Sequence, residues 1–342
     1  MNKKFIFIII GTIVMLLALI IIIDVVTAKP VNLITNPTKD KLNMPFMTQD
    51  AKSLYYFDGN STLNKWNLTT NKVENWIKFP FTNTDFISYS PDGNKALVYW
   101  RDPNSESKAD RIWLIDLENK KIIREISQNI YTNTWSPDSQ KIAYQTYNET
   151  VGQFELDIAT LNNTNIQKIS LLGPDYDSYG VLWPTKDTLI YFPKPQEMAA
   201  VDIKSTNLTT LQTKNIMTQV KIEDATIAIN QNKVLINLFN TTGDSTNLNI
   251  FDLATQKNQT TNINNLYIYK ITQISNTDKF YAGLRQDNQT ADGIIKFDLN
   301  GKVEVIKKSL LKEIDTEYLM APIGKNLYFL SGNQLYEMKI NF

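Results

Sequence analysis

The chain has 342 residues, with no cysteine, no histidine, and 35 basic residues against 35 acidic ones. These counts exclude a Ser-His-Asp or Cys-His catalytic arrangement, a zinc finger, a haem-ligating histidine and a disulfide, because the required ligands and general base are absent. A net charge of zero gives no overall electrostatic ground for nucleic-acid binding, and no such partner is expected.

The first element is an apolar run over residues 5–23, preceded by Lys3 and Lys4 and ended by Asp24. A helix of that length rises about 28 Å, close to the hydrocarbon thickness of a bilayer. The lysines put the amino terminus in the cytoplasm by the positive-inside rule. The expectation is a single N-terminal transmembrane helix, a signal-anchor held in the lipid bilayer through residues 5–23. Residues 1–28 then form the cytoplasmic stub and anchor, and residues 29–342 an extracytoplasmic domain. A cleaved signal peptide is the competing reading, since Val26-Thr27-Ala28 offers small residues, but the run is longer than a signal-peptide core of about 7 to 15 residues. Richness in Asn, Ile and Lys points to an AT-rich bacterial genome, hence to a single-pass protein of the bacterial cell envelope.

Beyond the anchor the chain repeats. Two copies of one motif stand out, Tyr89-Ser90-Pro91-Asp92-Gly93-Asn94-Lys95-Ala96-Leu97-Val98 and Trp135-Ser136-Pro137-Asp138-Ser139-Gln140-Lys141-Ile142-Ala143-Tyr144. Each reads as strand, tight turn, strand: Pro sets φ for the first corner, Asp bonds its own backbone two residues on, and Gly accepts positive φ. Gln49 before Leu54-Tyr55-Tyr56, Pro184 before Leu189-Ile190-Tyr191 and Pro322 before Leu327-Tyr328-Phe329 keep the five-residue offset. Two degraded copies lead into Val234-Leu235-Ile236 and Phe280-Tyr281-Ala282. A second landmark is an apolar-polar-apolar strand end before a polar turn. It occurs at Trp66-Asn67-Leu68, Ile115-Asp116-Leu117, Ala159-Thr160-Leu161, Val201-Asp202-Ile203, Phe251-Asp252-Leu253, Phe297-Asp298-Leu299 and Met338-Lys339-Ile340. Six intervals between positions 67 and 339 give a mean period of about 45 residues, that is (339 − 67)/6. Seven units of about four short strands each predict an all-β, seven-bladed β-propeller following the transmembrane helix.

The aromatic-Ser-Pro-Asp-Gly turn followed by Lys-x-apolar resembles the repeats of TolB-type propellers and is similar to the propeller domains of dipeptidyl peptidase IV-type enzymes. The Trp-Asp dipeptide of WD-repeat proteins is missing from the strand ends, which favours the TolB-like variety. The resemblance does not carry the peptidase activity, which belongs to a separate catalytic domain and needs a histidine. The expectation is therefore no enzyme, with no catalytic, cofactor-binding or metal-ligating residue and no cofactor.

The last unit is one strand short, while Val31-Asn32-Leu33-Ile34-Thr35 precedes the first with no place in it. Because an unpaired sheet edge is a liability, residues 31–35 are expected to close the last blade as its outermost strand. Such a strand starts on the face that carries the turns between strands 1 and 2 and between strands 3 and 4. The tether at Lys29-Pro30 then holds this turn face toward the membrane. The opposite loop face carries the longer connections, near residues 101–110, 146–152, 193–197, 240–247 and 286–293, and is the expected site of a protein or peptide partner.

Other clusters have plainer readings. Asp92 and Asp138 belong to turns where Asp bonds backbone. Asp175-Tyr176-Asp177-Ser178-Tyr179 could meet a cation or sugar but lacks the spacing of a calcium loop and reads as a solvated loop. Tyr55, Tyr56, Trp66, Trp76, Tyr99, Trp100, Trp113, Trp135 and Trp183 recur at strand positions and are expected to pack between blades. The functional expectation is a non-catalytic scaffold binding a protein or peptide. The alternative is a cell-envelope carbohydrate-binding protein or a carboxylate-dependent glycan hydrolase, although no spacing singles out an acidic pair. Protease added to intact cells or spheroplasts should cut within residues 101–110; complete protection of that segment would reverse the assigned orientation.

Overall fold

A computed structural model describes residues 31–38, 40–48, 50–59, 61–80, 84–101, 110–128, 130–162, 166–173, 179–193, 199–228, 232–239, 245–261, 263, 267–273, 277–285, 291–300, 302–308, 315–320, 326–331 and 334–339. The anchor expected at residues 5–23 and the Asp175–Ser178 stretch lie outside these. No helix among the described residues is long and apolar enough to cross a membrane; the described secondary structure is strand.

The strands form seven four-stranded antiparallel sheets. After β1 (Val31–Ile34), blade 1 is β2 (Asn43–Met47), β3 (Ser53–Phe57), β4 (Thr62–Asn67) and β5 (Lys72–Lys78). Blade 2 is β6 (Thr84–Tyr89), β7 (Lys95–Arg101), β8 (Asp110–Asp116) and β9 (Lys121–Gln128). Blade 3 is β10 (Ile130–Trp135), β11 (Lys141–Asn148), β12 (Gln153–Thr160) and β13 (Ile166–Gly173). Blade 4 is β14 (Tyr179–Thr185), β15 (Thr188–Pro193), β16 (Val201–Asn207) and β17 (Thr213–Val220). Blade 5 is β18 (Ile222–Ala228), β19 (Lys233–Phe239), β20 (Thr246–Asp252) and β21 (Lys257–Thr260). Blade 6 is β22 (Tyr267–Gln273), β23 (Lys279–Arg285), β24 (Ala291–Asp298) and β25 (Val303–Lys308). Blade 7 joins β26 (Asp315–Met320), β27 (Asn326–Ser331) and β28 (Gln334–Lys339) to β1, in the order β1-β28-β27-β26. The first strand of each blade touches that of the next, and β26 touches β2, so the sheets form a ring.

The repeated turn is a small hydrogen-bonded unit. The Ser90 hydroxyl donates to Asp92 Oδ1 (2.6 Å) and accepts from the Lys95 N–H (2.9 Å), while Asp92 Oδ1 also accepts from the Asn94 N–H (3.0 Å). Ser136, Asp138, Lys141 and Gln140 repeat it at 2.6, 2.9 and 3.1 Å. A third copy is built from Thr48, Asp50, Lys52 and Ser53, with Thr48 in the serine role. The fourth residue takes positive φ in all three, at Ala51 (56°), Gly93 (72°) and Ser139 (59°), so two of the copies hold the left-handed conformation without glycine. In blade 4 the Pro184 turn is tighter: Thr185 pairs Thr188, and the register shifts between Leu182 and Thr185. The second landmark is an Asx turn. Asn67 and Asp252 each accept two N–H groups from the following turn, and Asp116 and Asp298 make the same kind of bond. In blade 4 this role falls to Asn207, not to Asp202 as the pattern predicted; Asp202 stands at the opposite end of β16.

The second strand of each blade is buried along most of its length, as in β3, where all five residues are buried. Apolar clusters fill the joints between neighbours: Tyr56, Trp66 and Tyr328 between blades 7 and 1, and Tyr99, Ile112, Trp135 and Tyr144 between blades 2 and 3. Of the aromatic set, Tyr55, Tyr56, Trp66, Tyr99, Trp135 and Trp183 are buried, and Trp135 reaches across the joint to donate its indole N–H to the Ser88 hydroxyl (2.8 Å). β12 carries two acids into this interior. Glu155 is satisfied by Lys168 Nζ and Asn148 Nδ2, both at 2.6 Å. Asp157 is 7% exposed, and its Oδ1 has no hydrogen-bond partner. Burial, with help from the Glu155 charge and against the pull of Lys168, pushes its pKa up to about 6.

Two expected outcomes follow. Deleting residues 31–34 should lower the melting temperature of the entire propeller, because β28 then becomes an open edge; an unchanged melting curve would contradict the dependence of the ring on β1. Asp157 binds its proton more tightly folded than unfolded. Its contribution to stability is therefore fully present below about pH 4 and is lost as pH rises through about 6, with a total of about 3 kcal/mol. Asp157→Asn should match the parent near pH 4 and melt higher at pH 8; parallel pH dependences for the two proteins would show that Asp157 is not the group responsible.

Candidate functional site

Strand direction sorts the connections between the two faces. Strand 1–2 and 3–4 turns share the turn face, and strand 2–3 connections and the links between blades share the loop face. Of the loops expected to carry a partner, 102–109, 194–198, 240–244 and 286–290 lie outside the described residues. The loop-face structure described in most detail is the corner where blades 3 and 4 meet.

One wall of that corner is the β11–β12 hairpin, which stays paired out to Asn148 and Gln153. Asn148 shapes its tip by accepting from the Thr150 N–H (2.9 Å) and, through its carbonyl, from the Gly152 N–H (2.9 Å). Gly152 has φ 65°, which favours glycine there. The tip exposes two apolar side chains, Val151 at 53% and Tyr147 at 37%, and Tyr147 meets buried Phe154 edge-to-face at 5.0 Å. Strand alternation puts Tyr147 and Phe154 on the side of the sheet that carries Leu156 and Ile158, the side packed on blade 4.

Beside it lies a pocket of about 240 Å³ lined by Leu172, Tyr191, Pro193, Val201, Asp202 and Lys204, among others. Regular alternation along β16, which pairs β15 without a shift from Thr188 with Asn207 to Tyr191 with Lys204, puts Asp202 and Lys204 on one side of the sheet; the two register shifts against β17 place their extra residues in β17. Asp202 is held by the Gln219 N–H and Asn215 Nδ2, both at 3.0 Å. The Tyr191 hydroxyl is fixed by Ser170 Oγ at 3.2 Å. Lys204, half-buried, makes no ion pair among the described residues. The pocket thus combines apolar walls with an ammonium free to meet a carboxylate or carbonyl oxygen.

The turn face carries a wider groove of about 450 Å³ between blades 1 and 2, lined by Tyr55, Lys65, Trp76, Asp92 and Glu118, among others. Trp76 is half-buried, donates its indole N–H to the Leu117 carbonyl (2.6 Å), and has Lys65 Nζ and Lys120 Nζ at 4.2 and 3.9 Å from its ring centroids. Burial, with a smaller push from Glu74, raises the Tyr55 pKa to about 12. Burial works to raise Asp92, but the Ser90 hydroxyl, the Asn94 N–H and Lys95 outweigh it and hold the carboxyl below its ordinary value. The Ser136 hydroxyl does the same for Asp138. Both aspartates are turn residues here, and no group of three or more acidic side chains among the described residues could hold a metal ion.

Sequence reasoning missed the Glu155–Asp157 pair and the assignment of Asp202 and Lys204 to a pocket. A signal for the first was present: in Phe154-Glu155-Leu156-Asp157-Ile158 the acids alternate with apolar residues inside a strand buried on both sides. Neither acid lines the blade 3–4 pocket. Asp202 and Lys204 carried no such mark, because the pocket also needs Leu172 from the neighbouring blade.

No protein-family model matches the sequence, and no curated protein matches it. Solved structures do match the fold. An oligogalacturonate lyase from Vibrio parahaemolyticus superposes with a TM-score of 0.67 at 12% identity, over 92% of this chain and 94% of that one. The β-propeller domain of the Trilobed protease from Pyrococcus furiosus, described as having an open velcro topology, gives 0.59 at 16% identity over 87% and 95%. The acylaminoacyl peptidase of Pyrococcus horikoshii gives 0.60 at 13% identity, with 88% of this chain matching 52% of that protein. The expectation that the chain is not an enzyme is thereby corrected. Proteins sharing its fold include a lyase and peptidases, so the lack of histidine and cysteine is no ground for denying it catalysis. At these identities the likeness supports the fold alone, a seven-bladed β-propeller.

Proposed function

We propose that the chain is a membrane-anchored, extracytoplasmic β-propeller that binds a protein or peptide at the loop-face corner of blades 3 and 4. The observation that carries this reading is that neighbouring blades present, on the same face, an exposed apolar hairpin tip, Tyr147 and Val151, and a pocket holding the ammonium of Lys204, which has no ion pair among the described residues. An extended polypeptide offers both kinds of contact at once: apolar side chains for the tip, and a carbonyl or acidic side chain for Lys204. The hairpin is preorganised by the Asn148 bonds and by continuous pairing with β12, which lowers the ordering cost of association. The apolar run over residues 5–23 supplies the anchor and its flanking lysines the orientation.

A glycan ligand is less well supported. Carboxylate-dependent hydrolysis needs two acids across a cleft, and the closely placed buried pair, Glu155 and Asp157, does not line the pocket. A photocrosslinking residue at Val151 in native membranes should capture one reproducible envelope protein, and the same residue at Lys78, on the outer edge of blade 1, should not. Lys204→Met should cut that capture about tenfold, corresponding to the loss of roughly 1.4 kcal/mol from one charge-assisted contact. Capture of glycan, or equal capture at both positions, would set the reading aside.

A further inference from the structure

We infer that the turn face is a docking surface for the anionic headgroups of the bilayer in which the chain is anchored. This rests on the membrane-anchored reading and extends it to the propeller itself. The register of blade 7 supplies the geometry. Val31 pairs with Met338 and Ile34 with Leu335, so β1 runs from the turn face toward the loop face, and the chain enters the propeller at the turn face. Residues 24–30 link the apolar run to that point and reach at most about 25 Å when fully extended. An anchored propeller is therefore held with its turn face close to the membrane.

The chemistry of that face fits such a surface. Lys72, Lys121, Lys141, Lys257 and Lys302 stand where strands leave the turn-face connections of blades 1, 2, 3, 5 and 6. All five are exposed, and none makes an ion pair among the described residues. Glu118, in the blade 2 turn, is exposed, but the aspartates of the blade 2, 3, 5 and 6 turns are folded back on backbone N–H groups. Their charge stays close to the turn, whereas the ammoniums extend from it on four-carbon stems. Five ammoniums spread round a ring match a plane of negative headgroups better than one compact anion. Trp76, half-buried in the groove on the same face, is the side-chain type that settles at a membrane–water boundary.

The test uses the full-length chain in nanodiscs of phosphatidylcholine alone or with one third phosphatidylglycerol, and reads lysine acetylation rates by mass spectrometry. Lys72 and Lys78 give an internal comparison, because they end the same strand on opposite faces about 20 Å apart. With phosphatidylglycerol, Lys72 should be acetylated at least about fivefold more slowly than Lys78. The difference should vanish in pure phosphatidylcholine and in 1 M salt, where the screening length falls to about 3 Å. K141Q/K257Q/K302Q, whose melting should stay unchanged, should abolish the protection of Lys72. A chain that stays in the discs but is labelled evenly overturns the docking surface alone. A chain that separates from the discs on gel filtration overturns the anchored reading and this inference with it. Protection of Lys72 by soluble polyglutamate as strong as that by phosphatidylglycerol would make the face a general polyanion site and overturn the lipid assignment.

Discussion

The pairing of the first described strand with the last holds the ring together. Four residue pairs, from Val31 with Met338 to Ile34 with Leu335, give blade 7 its fourth strand and cover the backbone edge of β28. Polar side chains reinforce the joint: Glu337 accepts hydrogen bonds from Asn326 and, at 2.9 Å, from the Tyr328 hydroxyl, and Asn32 lies 3.4 Å from its other oxygen. Ile34 packs on the cluster that joins blades 7 and 1. Each blade is a twisted sheet whose faces are buried only by its neighbours, so a break anywhere exposes two faces at once. The strand that closes the ring also sets where the chain enters it, and so which face is held toward an anchor.

Within the ring, local and long-range forces divide the work. The Ser/Thr-x-Asp turn bonds mostly within itself in three of the blades, and the blade 2 copy adds one bond to its neighbour, from the Asp92 N–H to Ser139 Oγ at 3.1 Å. The Asx turns do the same at the other corner of the turn face. Packing between blades is contributed by second strands buried along most of their length, and indole N–H groups such as those of Trp135 and Trp76 find acceptors across a joint. Asp157 is a carboxyl placed where the interior favours its neutral form.

The two faces differ for the same reason. The described turn-face connections are short and internally bonded, with lysines projecting outward, whereas the strand 2–3 connections of the loop face include the longest segments of the sequence between strands. On the loop face of blades 3 and 4, a fully paired hairpin exposes Tyr147 and Val151, and regular alternation along β16 puts Asp202 and Lys204 in a pocket. The fold is shared with a lyase and with peptidases, while the side chains on its faces belong to this chain.

The repeat was legible in the sequence because its signals are local. Pro-Asp-Gly chemistry, apolar runs at a fixed offset and Asx strand ends all act within about ten residues, and they determined the strand composition, the number of blades and the turn face of most repeats. In blade 4 two candidates compete: Val201-Asp202-Ile203 carries the apolar-Asp-apolar pattern, but the turn forms at Asn207, whose Asn-Leu-Thr-Thr sequence repeats that of Asn67 in blade 1 and makes the same two backbone bonds. The burial of Glu155 beside Asp157, the approach of Leu172 of blade 3 to Asp202 and Lys204 of blade 4, and the distance of Trp76 from two ammoniums depend on residues brought together from different strands and blades. Only the tertiary structure decided these, since the surroundings of a side chain at an interblade position are set by the partner strand and the neighbouring sheet.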